Sequence, residues 1–160
     1  MVGLCIILSA PAVRSDWVYL PPVDRIAAST LVFTGTAKTA LKESAGEYRW
    51  HVADVTVDAV LIGLLTSETV TIRTIDPASL ECAPNAGLME ATGRRFLWNF
   101  YRTTRPLEFS STDGPLVDLD DAKAVRALIS DIEAALARNR KLSTEARGRL
   151  KTVLADLRQQ

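Results

Sequence analysis

Two hydrophobic periods divide this chain. Apolar and polar positions alternate in twos between residues 31 and 111, and beyond residue 118 they recur every three to four residues. The first β signal spans residues 31–36, where Leu31, Phe33 and Gly35 alternate with Val32, Thr34 and Thr36. A polar turn at residues 42–46 precedes the longest strand signal, residues 48–62. Its facing slips, because Trp50 and Val52 share one parity while Val55, Val57 and Ala59 share the other. A one-residue shift turns every later side chain over, so this slip predicts a β-bulge near Ala53 and Asp54. After a turn at residues 63–67, a third strand over 68–75 sets Val70, Ile72 and Thr74 on one side. Asp76 and Pro77 end it. Residues 78–92 hold Pro84, Gly87 and a stretch at 88–91 suited to one helical turn. A fourth strand over 94–102 lines up Phe96, Trp98 and Phe100, and a weaker fifth over 107–111 runs out at Asp113-Gly114-Pro115.

The second period marks helices. Val125, Leu128, Ile129, Ile132 and Leu136 form one stripe, and Ala146, Leu150, Val153, Leu154 and Leu157 form another. Asp118, Asp120 and Asp121 stand where carboxylates cap free N–H groups, and Ser143 or Thr144 caps the second helix. The short link at residues 140–142 predicts an antiparallel hairpin. Before the first strand, residues 13–29 carry Trp17, Tyr19 and the Pro21-Pro22 pair. They read as an extended lead-in with a short turn at 27–30. The expected fold is therefore mainly β: a five-stranded OB-like barrel over residues 30–117, followed by a C-terminal antiparallel helical hairpin over 118–160 packed on the barrel. A five-stranded β-sandwich carries similar signals.

Composition changes this picture little. Hydrophobic residues make up 48% of the 160 and charged residues 24%, so one domain of this length buries a core without disulfide or metal. Lysine plus arginine and aspartate plus glutamate each count 19, a balance that argues against a nucleic-acid partner. Cys5 and Cys82 lack any metal-ligand spacing, and His51 is the sole histidine, so neither a metal nor a cofactor is expected. The apolar run over residues 2–10, closed by Ala10-Pro11-Ala12, is too short to span a bilayer. It matches a secretory signal over residues 1–12, although no Lys or Arg precedes it. A buried N-terminal strand is the competing explanation. Leu4 argues against a lipid anchor at Cys5. The expected location is thus extracytoplasmic, periplasmic or secreted, without stable membrane insertion. Cleavage would leave Cys82 as the single thiol, most simply a buried one.

The stretch Leu31-Val32-Phe33-Thr34-Gly35-Thr36, the strand through Val52 to Leu61, the segment Glu68-Thr69-Val70-Thr71-Ile72-Arg73-Thr74, Cys82, and Gly93-Arg94-Arg95-Phe96-Leu97-Trp98 together form a pattern. It resembles the netrin-like modules related to tissue inhibitors of metalloproteinases, above all their bacterial secreted relatives. The resemblance covers residues 30–112 and implies an OB-like barrel and export. Three features depart from it. Ile62-Gly63 replaces the family's Lys-Gly, no second cysteine follows strand five to pair with Cys82, and no mature N-terminal cysteine exists to chelate a protease's zinc.

Few residues suggest chemistry. His51 titrates near neutral pH, but the sequence marks no nucleophile or carboxylate for it to serve, so a structural or surface role is simpler. The Asp118–Asp121 cluster lacks the spacing and glycine of a calcium loop, and capping explains it. Trp98, Phe100 and Tyr101 beside Arg94, Arg95, Arg102 and Arg105 fit two arrangements: a stacking surface for single-stranded nucleic acid, or a barrel core with arginines on the solvated side. The second is simpler. The candidate binding residues are Arg94, Arg95, Arg102 and His51, with no catalytic residue. The expected function is a non-catalytic binding module for a protein partner. An OB-fold single-stranded nucleic-acid binder and an enzyme with an unrecognised site are the alternatives, and the sequence leaves the oligomeric state open.

Overall fold

The structure, a computed structural model, describes residues 20–45, 48–75, 91–101, 107–108, 116–138 and 141–160. The signal segment, residues 76–90 with Cys82, and Arg102 lie outside these. The lead-in differs from expectation, because residues Pro22–Ala28 form a helix, α1, where an extended path was predicted. Proline breaks a helix by lacking an interior N–H donor, and the first turn needs none. Pro22 occupies that turn, and the Pro21 carbonyl accepts from the Arg25 N–H at 3.0 Å.

Two 15-residue strands follow, β1 (Leu31–Ala45) and β2 (Tyr48–Ile62), paired antiparallel as a long hairpin. β1 runs through the turn expected at 42–46, because its ladder with β2 continues to the Ala45–Tyr48 pair. The bulge is real but displaced. Ala37 pairs with Val55 and Thr39 with Asp54, so the extra residue is Lys38 on β1, across from the predicted position. β2 does not flip there. His51, Ala53 and Val55 are all buried on one parity, and Trp50 points to the other face. Two further shifts leave Asp58 and Leu61 as extra residues on β2. Gly35, beside one of these shifts, leaves no room for a Cβ, which would lie 2.5 Å from the Thr56 carbonyl oxygen. Gly63 ends β2 at φ +83°, a conformation that favours glycine.

Strand β3 (Thr69–Ile75) buries Ile72 and Thr74 as its alternation predicts. β4 (Arg95–Phe100), β5 (Leu107–Glu108) and β6 (Val117–Asp118) complete one open six-stranded sheet in the order β5-β3-β2-β1-β4-β6. Among these strands every pairing is antiparallel except β3 with β5, and an isolated parallel bridge joins Ala37 to Thr92. β6 is the strand the sequence did not announce, since two residues carry no period.

Each face of the sheet carries a core. One face gathers Leu31, Phe33, Val55, Ile72, Phe96, Trp98, Phe100 and Leu107 into a core. On the other, Val32 and Leu97 pack with Ile26 of α1 and with helices α2 (Ala122–Arg138) and α3 (Thr144–Leu157). The two helical stripes supply Leu128, Ile132, Leu150, Val153, Leu154 and Leu157 to that second core. β4 is therefore buried on both sides, with Leu97 and Asn99 facing the helices where a solvated face was expected. The helix starts follow the sequence. Asp121 Oδ1 accepts from the N–H groups of Lys123 and Ala124, and Ser143 Oγ accepts from that of Ala146 at 3.1 Å.

Candidate binding surface

The predicted site residues do not converge. Arg94 and Arg95 adjoin at the start of β4, where Arg95 pairs across the ladder with Thr36. His51 pairs with Lys42, six residues further along β1, which is roughly 20 Å at strand rise. His51 is only 7% exposed and lies on the inward side with Ala53 and Val55, so it is no surface ligand. Arg102 lies outside the described residues.

Both arginines are engaged within the molecule. Arg94 forms an ion pair with Asp118, and its guanidinium carbon stands 5.5 Å from the Phe96 ring centroid. Arg95 Nε donates to Asp58 Oδ2 at 2.9 Å and Nη1 donates to Gln160 Oε1 at 3.1 Å. The Arg95 backbone N–H donates to Asp120 Oδ2. These contacts tie the β2 bulge, the start of β4, the approach to α2 and the chain's last residue together. Of the three aspartates expected to cap α2, Asp121 alone accepts from its first N–H groups, while Asp118 closes the preceding turn and Asp120 serves β4. Asp118 Oδ1 accepts from the Asp120 N–H, and the two N–H groups on Asp121 hold its carboxyl below the usual range. Among the described residues no group of three or more His, Cys, Asp or Glu side chains is placed to hold a metal ion.

The aromatics of β4 are core. Phe33 stacks on Trp98 and Phe100 at 6.4 and 6.0 Å, Phe96 meets Trp98 edge-on at 5.5 Å, and Trp98 Nε1 donates to the Gly35 carbonyl at 2.8 Å. A fully buried indole with its one donor satisfied offers no face to a nucleobase.

Two features went unread in the sequence. The first is a buried polar network beneath α1. Arg25 Nη2 donates to Asn99 Oδ1 at 2.7 Å, Asn99 Nδ2 donates to Ser29 Oγ at 3.0 Å, and Ser29 Oγ donates to the Arg25 carbonyl at 2.6 Å. Arg149 on α3 donates to the Ala27 carbonyl at 2.8 Å. Asn99 was the available signal, a lone amide within the apolar run from Phe96 to Tyr101. The second is an outward row across the hairpin arm. Leu41, Val52 and Arg73 are direct cross-strand partners on β1, β2 and β3, and Leu41 is 60% exposed. Arg73 lies over the half-buried Trp50 ring at 4.5 Å, a cation–π contact. Beside it, Thr71 Oγ1 donates to Asp54 Oδ1 at 2.8 Å.

No known family model and no curated protein matches this chain. No helix among the described residues is long and apolar enough to cross a membrane.

Proposed function

We propose that this chain is an exported, non-catalytic binding module of netrin-like type that contacts a protein partner, built on an OB-like barrel with a helical hairpin. The strand order supports the barrel. In such a barrel the first strand lies between the second and fourth, and the third pairs in parallel with the fifth, as β1 and β3 do here. β5 and β6 are consecutive along the chain yet edge opposite sides of the sheet, the arrangement expected where a barrel's two edges approach each other. Export rests on the signal-like first twelve residues.

The observation that carries the binding reading is the row of Leu41, Val52 and Arg73 beside Trp50. It joins exposed apolar surface to an aromatic ring and a cation, the residue types that anchor protein interfaces. The nucleic-acid alternative is less favoured, because the β4 aromatics are core and Arg94 and Arg95 serve internal contacts. The test is a photoreactive residue in place of Leu41, in the chain expressed from its own gene, with Lys151 on α3 as control position. Expected is an extracytoplasmic species starting near Val13, with one alkylatable thiol and a discrete protein adduct from position 41 alone. An uncleaved cytosolic chain refutes export. Adducts to nucleic acid, or none at all, refute the protein-binding surface.

A further inference from the structure

We draw no further inference here: the strongest candidate, the open groove between the first turn of α1 and the last turns of α2, lined by Pro22, Asp24, Asp131, Arg138 and Lys141, mixes charges of both signs with no buried side chain among them, and nothing in the structure shows what covers it.

Discussion

Replacing Asn99 with leucine probes how α1 is held to the sheet. Asn99 is fully buried, and it both accepts from the Arg25 guanidinium and donates to Ser29 Oγ. Leucine shares its branched heavy-atom skeleton, so the change opens no cavity, and its bulkier methyl groups add some overpacking to the polar loss. A hydrogen bond to a charged donor contributes about 1.5–3 kcal/mol and a neutral one about 1 kcal/mol. Removing one partner of a buried charge also leaves that charge poorly solvated, which raises the cost toward about 3–5 kcal/mol. Greater burial of apolar surface by leucine offsets roughly 1 kcal/mol of this. The expected net loss is about 3 kcal/mol, or a fall in Tm of about 6–12 °C for a chain of this size. Urea unfolding followed by far-UV circular dichroism measures it, with an unchanged m-value as the check that only the native state is affected. Asn99→Asp is the informative companion. Its carboxylate still accepts from Arg25 and gives up only the donor to Ser29, so it costs less than half as much at neutral pH. Asn99→Leu within about 0.5 kcal/mol of wild type, the usual span of a surface change, would show that the network does not hold α1.

Gly35→Ala forces a methyl group to 2.5 Å from the Thr56 carbonyl oxygen and 2.9 Å from Val55 Cγ1, so it destabilises by about 1–3 kcal/mol, read from the urea midpoint. Ser143→Ala removes the oxygen that accepts from the Ala146 N–H and costs about 1 kcal/mol by the same measurement, whereas Ser143→Asp restores it. The Asp121 carboxyl is held below its ordinary value of 3.8 by hydrogen bonds from the Ala124 and Lys123 backbones. Its stabilisation is therefore present above that value and lost as pH falls through the lower folded-state value. Asp121→Asn keeps a capping oxygen without the charge. Its urea midpoint should fall less than that of wild type between pH 5 and pH 2, and parallel profiles would refute the assignment.

Legibility in the sequence followed the length and regularity of each pattern. The two helical stripes and the alternation in β3 repeat often enough to fix both element and buried face. Phe96, Trp98 and Phe100 were legible as core for the same reason. The facing of β2 is hard to read because Trp50 has the size of a core residue. Its ring instead lies on the outer face under Arg73, while the smaller Ala53 and the polar His51 turn inward. The parity of β2 signals a bulge but not its strand, since parity in one strand cannot reveal an extra residue in its partner, here Lys38 of β1. α1 was hidden by its prolines, whose effect depends on position within the turn. β6 was too short to carry any period.

The arginines show why the candidate site was harder to read than the fold. Cations beside aromatics on a strand predict a ligand surface only if the strand has a free face, and β4 has none. Once α1 and the hairpin cover its second side, Arg94 and Arg95 are left at the strand's first residues, within reach of Asp58, Asp118 and Asp120. Those aspartates come from a bulge in β2 and from the approach to α2, places that only the tertiary fold brings together. The arm of β1, β2 and β3 beyond the end of β4 shows the converse. There the sheet projects past the helices' cover, and ordinary alternation leaves Leu41, Val52 and Arg73 on an open face. The exposure of Leu41 is thus set by how far two strands outrun a third, a length difference that no local motif encodes.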